Sequence, residues 1–138
     1  LTVNGYFAII FLPKQYPTSV EGKRLQMDKK EALKVWFHEY GNNEYAYDIT
    51  GRKIKREDYQ VKNQVGWVVS YMRPLELGGP NDDGNTIILH HFTASEKGMN
   101  YPVFYVDDIK YTVIHNEKQN FYYIEKADVE VEDDDDLN

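Results

Sequence analysis

Between Val103 and Lys126 the chain carries three runs dense in β-branched and aromatic residues: VFYV, IKYTVI and FYYIEK. Asp107-Asp108 separates the first two, and a polar stretch separates the last two. Runs of this composition between turn residues predict sequential strands. The C-terminal part is therefore expected to be strand, turn, strand and further strand, paired antiparallel.

What precedes it alternates. Residues 5–12 (GYFAIIFL) predict a buried strand closed by Pro13, and residues 14–25 predict a loop through Pro17, Thr18, Ser19 and Gly22. Asp28 is placed to cap a helix running to about Tyr40. Ala32, Leu33, Val35, Trp36 and Phe37 form its buried face, and Gly41 stops it. Residues 45–48 are short and extended, and residues 48–51 form a turn. Residues 66–72 predict a strand with Trp67, Val69 and Tyr71 on one face. The Gly, Pro, Asn and Asp residues over 78–84 make a long turn. Residues 85–97 predict a second helix, stopped by Gly98. This order implies an α+β domain with an N-terminal strand and helix and an added C-terminal antiparallel sheet.

Composition narrows the class. The chain has 138 residues, 41% of them hydrophobic, enough for one domain with a core. A mean hydropathy of -0.68 and the absence of a long apolar run argue against a transmembrane helix. The apolar start is too short for a span and has no basic region before it, so a strand is expected there rather than a signal peptide. With no cysteine, disulfides and Cys-ligated zinc are both excluded, and a cytoplasmic location is expected.

The net charge of -7 is local. Residues 125–138 hold eight acids, including Asp133, Asp134, Asp135 and Asp136, against one base, Lys126. The other 124 residues are balanced, so the body (1–124) is neutral, and 125–138 is acidic and expected to be a disordered tail. A neutral body argues against a nonspecific nucleic-acid binder, because phosphate neutralisation supplies most of that affinity. The local basic cluster is Arg52, Lys53, Lys55 and Arg56. The tail predicts either a solubilising end or attraction to a basic protein surface. Tyr101, Tyr105, Tyr111, Tyr122 and Tyr123 on the C-terminal strands suit a protein interface, with Tyr122 and Tyr123 the candidates for contact. Basic residues do not interleave with them, which disfavours a single-stranded nucleic-acid platform.

Over about residues 27–118, the segments YDITGRKIKREDYQ, GW before a strand, RPLELGGPNDDGN and a helix ending in EKG resemble the HNH (ββα-metal, His-Me finger) endonuclease family. Asp48, Gly51, Arg52, Ile54, Tyr59, Gly66, Trp67, Pro74, Gly78, Gly79, Asn85, Thr93, Glu96, Lys97, Pro102 and Phe104 match its frame in order. The resemblance implies a ββα-metal core. It also implies a histidine acting as general base on water, beside an aspartate that shares one divalent metal with a later helix ligand. A middle asparagine would fix the loop.

At these positions the chain departs from the family. The Asp-His pair becomes Ser70-Tyr71, the helix ligand becomes Ala94, and Asn85 is kept. Serine is a poor ligand for a hard cation and alanine is none. A tyrosine, with a reference pKa near 10, is protonated at neutral pH. No catalytic residue, metal or cofactor is therefore expected, with His90 and His91 the weak metal candidates. As neighbours on a helix they would point about 100° apart. The expected function is a non-catalytic binding protein, a phage or mobile-element inhibitor of a host nuclease of anti-CRISPR or anti-restriction type. Its partner would be a protein, reached through the tail and the tyrosines. The alternatives are a divergent nuclease using His90 or His91, and a DNA-binding remnant that uses Arg52, Lys53 and Arg56 on phosphates.

Overall fold

The computed structural model describes residues 27–128. The strand expected over 5–12, the loop over 14–25 and Asp133 to Asp136 lie outside the described residues. The chain divides into two compact units, residues 1–41 and 42–138, each described by itself. Among the described residues the protein is α+β, with two helices and three small antiparallel sheets.

In the first unit, α1 spans Lys29–Tyr40. The Asp28 carboxylate accepts from the Glu31 N–H at 2.9 Å, satisfying one of the donors that a helix start leaves open. Gly41 ends the helix at φ +63°, where its N–H reaches the Phe37 carbonyl. Ala32 and Trp36, one turn apart, are fully buried. Phe37, expected on that face, is instead 47% exposed. It sits a further 100° around the helix, off the narrow stripe that Ala32 and Trp36 define.

The second unit opens with a hairpin of β1 (Tyr45–Tyr47) and β2 (Lys53–Lys55). Ala46 pairs with Ile54, and that rung turns Ile54 inward to full burial. A helical turn, Arg56–Asp58, follows. Tyr59 then bridges to Trp67, and their rings lie 4.9 Å apart. A Cβ on Gly66 would overlap the Val61 carbonyl, so the close approach before the next strand requires glycine.

Strands β3 (Trp67–Tyr71) and β4 (Thr86–His90) pair antiparallel over five rungs, from Trp67↔His90 to Tyr71↔Thr86. Helix α2, His91–Lys97, begins at once. The single helix expected over 85–97 is thus a strand followed by a short helix. Thr86, Ile87 and Ile88 are β-branched and stiff at χ1, which suits a pleated ladder better than a helix.

The C-terminal meander is as expected: β5 (Val103–Val106), β6 (Ile109–Asn116) and β7 (Phe121–Lys126). Asp107 and Asp108 make its first turn at φ +52° and +66°, the left-handed pair that a two-residue hairpin needs. The inner face of this sheet gives the core cluster of Phe104, Val106, Tyr111, Val113 and Tyr122, joined by Met72. Burying each large apolar side chain here contributes about 1.5–3 kcal/mol.

Candidate functional site

Three sets of residues surround the β3–β4–α2 unit. The first is a buried polar knot centred on Asp48, which is 5% exposed. One carboxylate oxygen accepts from the Thr50 N–H (2.9 Å), the Thr50 hydroxyl (2.7 Å) and the Arg52 N–H (3.1 Å). The other accepts from the His90 N–H at 3.0 Å. The turn that makes this possible passes through Gly51 at φ +91°. Burial by itself would raise the Asp48 pKa. Donors from Thr50, Thr93, His90 and Arg52 outweigh it and hold the carboxyl below its ordinary value. Arg52 extends the knot, donating to the Thr93 hydroxyl at 3.0 Å and to Glu96 at 2.8 Å, with Asp107 3.9 Å away. One carboxylate thereby ties the β1–β2 turn to the end of β4 and, through Arg52, to α2.

The second set is Asn85, fully buried. Its side-chain oxygen accepts from the Arg73 N–H at 2.8 Å, while its amide donates to the carbonyls of Arg73 and Pro80, each at 2.9 Å. This clamps the 73–80 loop. A Cβ at Gly79 would overlap the Arg73 carbonyl and press on the Asn85 amide, so the loop closes only around glycine.

The third set is the trio at positions 70, 71 and 94. Ser70 and Tyr71 are half-buried on β3, and Ala94 is half-buried on α2. The Tyr71 hydroxyl bonds the Asn81 side-chain oxygen at 2.8 Å, and burial pushes its pKa further up. As a base it is therefore worse than a free tyrosine. A divalent metal does not fit these side chains: positions 70 and 94 supply no carboxylate or imidazole. Among the described residues no group of three or more His, Asp or Glu is placed to hold a metal ion.

His90 and His91 are placed differently from expectation. His90 ends a strand instead of sitting inside a helix, and the two rings stack with centroids 4.6 Å apart. His90 is buried. Its Nδ1 accepts from the Phe92 N–H at 3.0 Å, capping α2, which leaves the ring proton on Nε2 facing the Gln64 carbonyl at 2.9 Å. Both His90 nitrogens are thus committed to backbone. The His91 Nε2 lies 2.6 Å from the Asn63 carbonyl.

The expected binding residues separate. Tyr122 belongs to the core at 6% exposure, stacked on His115 at 4.2 Å, because it shares the inner face of the sheet with Tyr111 and Val113. It is not available as a contact residue. Tyr123 faces outward at 39% exposure. Arg52 is spent in the Asp48 knot, and Arg56 bonds Glu57 and the Asn42 carbonyl. Lys53 is exposed.

Sequence reasoning missed one charged group. Lys97 is 1% exposed, its ammonium 5.5 Å from the Phe104 ring and 3.4 Å from the Asn100 carbonyl. Desolvation pulls its pKa from 10.5 to about 8. No signal in the local sequence marks this burial. The Asp48 knot did leave one, since Asp-x-Thr-Gly-Arg is a composition that closes on its own backbone.

No family model, curated protein or solved structure matches this chain.

Proposed function

We propose that this chain is a non-catalytic HNH-like binding protein, made by a phage or mobile element to inhibit a host nucleic-acid-targeting nuclease through protein–protein contact. The observation that carries the reading is the contrast inside one strand–strand–helix unit. Asn85 still clamps its loop through three hydrogen bonds. The positions that would carry the base and the metal hold Ser70, Tyr71 and Ala94. An arrangement that keeps its frame and lacks the groups for hydrolysis is suited to binding.

Side chains suited to a protein contact are available. Phe92 (54% exposed), Tyr105 (58%) and Tyr123 (39%) offer large apolar area with little rotamer entropy to lose. The acidic run at 130–136 adds charge that matches a basic DNA groove. The zero net charge of the body favours a protein target over DNA.

The test is a cleavage assay with purified RNA-guided and restriction nucleases, titrating in the protein. Dose-dependent inhibition with a stable complex on size exclusion is expected. Full cleavage at every concentration, with no nuclease recovered on the immobilised protein, would sink the proposal.

A further inference from the structure

In an antiparallel pair, residues directly opposite share a face. Tyr45↔Lys55 and Tyr47↔Lys53 therefore stand together on one side of the β1–β2 ribbon, opposite the buried Ile54. Tyr45 and Tyr47 are 42% and 61% exposed. The Lys53 and Lys55 ammonium groups lie 4.5 Å and 5.8 Å from the Tyr45 ring centroid. Among the described residues no carboxylate pairs with either lysine, whereas the flanking Arg52 and Arg56 both have one. Among the described residues the ribbon thus presents two cations without a carboxylate partner, on an aromatic platform.

The chain's own surplus of anions starts close by. The Ala127 N–H bonds the Lys110 carbonyl at 2.9 Å, so β7 ends beside the β5–β6 turn. That same turn holds Asp107 3.9 Å from Arg52, the residue before Lys53. Five residues separate Ala127 from the Asp133 to Asp136 run, a reach of about 20 Å when extended. A tether this short gives an effective concentration of order millimolar, which favours the chain's own acids over those of a second copy.

We infer that the acidic run Asp133 to Asp136 docks on the Tyr45–Tyr47–Lys53–Lys55 face of the same chain. The contact is electrostatic and solvent-exposed, so salt weakens it, with a Debye length of about 10 Å at 0.1 M and 3 Å at 1 M. It places the tail over the Lys53–Lys55 face and makes it exchangeable with a stronger polyanion or cation.

The absence of cysteine allows a clean experiment on the full chain. A nitroxide is attached to Asn138→Cys, and amide signals are followed by NMR at low salt. Selective broadening of residues 45–47 and 53–55 is expected. It should be lost at high salt and in Lys53→Glu/Lys55→Glu, at an exposed and a half-buried position, with an unchanged circular dichroism spectrum showing that the variant is folded. Broadening confined to residues near Lys110, or absent at low salt, overturns the inference. So does equal broadening in a mixture of spin-labelled unlabelled-isotope chain and label-free ¹⁵N chain, which assigns the contact to a second copy. A polythymidine oligonucleotide shifting the ribbon signals equally with the tail acids intact or neutralised to Asn and Gln would give the face an external occupant instead.

Discussion

The Asp48 knot, in the β1–β2 turn, and the Ser70–Tyr71–Ala94 trio, on β3 and α2, both meet the β3–β4–α2 unit, and they differ in what holds them. Asp48 is 5% exposed and receives four hydrogen bonds that tie three segments together. Among the described residues the trio shares no hydrogen bond, and its one side-chain bond joins Tyr71 to a loop residue. Removing a buried hub leaves donors stranded at about 1–3 kcal/mol each, whereas replacing half-buried positions costs little. The fold can therefore change its side chains at 70, 71 and 94 and keep its shape. It cannot lose Asp48.

The hardest strike on that comparison is Asp48→Asn, which turns an amide N–H toward backbone donors. We expect a loss of about 3–5 kcal/mol, read as a fall in the denaturant midpoint. The Asp48 pKa is lowered on folding, so its contribution is present above the unfolded value near 3.8 and lost as pH falls toward the folded one. Stability of the native chain should fall steeply with acid, and the Asn variant should lose that dependence. An unchanged midpoint would remove the distinction between frame and trio.

Asn85→Ala comes next, stranding the Arg73 N–H and the Arg73 and Pro80 carbonyls. A loss of about 2–3 kcal/mol is expected, with hydrogen exchange rising first across 73–80.

Lys97 sharpens the contrast from the other side, as a buried amine with no counter-ion among the described residues. Its folded pKa is about 8 against 10.5 unfolded, so between those values the unfolded chain binds the extra proton. Stability should rise with pH across that window, and the penalty is complete below about 8. Lys97→Met should stabilise the protein at pH 7 by roughly 2 kcal/mol and abolish the rise. Smallest of all, Tyr71→Phe removes one bond to Asn81 and should cost about 1 kcal/mol or less.

The parts legible in the sequence were those fixed by local chemistry. Asp28 and Gly41 bracket α1 as expected, and Asp107-Asp108 forms the turn of the meander. The strand at 86–90 was not legible, because five rungs to β3 outweigh any helical pattern. At the candidate site, Asn85 and positions 70, 71 and 94 were singled out only through the resemblance to the HNH family, and the partners of Asn85 lie across a loop that only the fold closes. Tyr122 and Tyr123 look alike in sequence, and register sends them to opposite faces. The Tyr45–Lys55 pairing is likewise a matter of register, so the basic cluster showed no aromatic neighbours until the hairpin was seen.

The function proposed above is that of an HNH-like scaffold without the groups for hydrolysis at positions 70, 71 and 94. Plasmid nicking with Mg²⁺ or Mn²⁺ tests it most directly, comparing the native chain with Ser70→Asp/Tyr71→His/Ala94→Asn. An inert native protein and metal-dependent cutting by the triple variant are expected. Metal-dependent cutting by the native chain, abolished by His90→Ala or His91→Ala, would contradict the proposal.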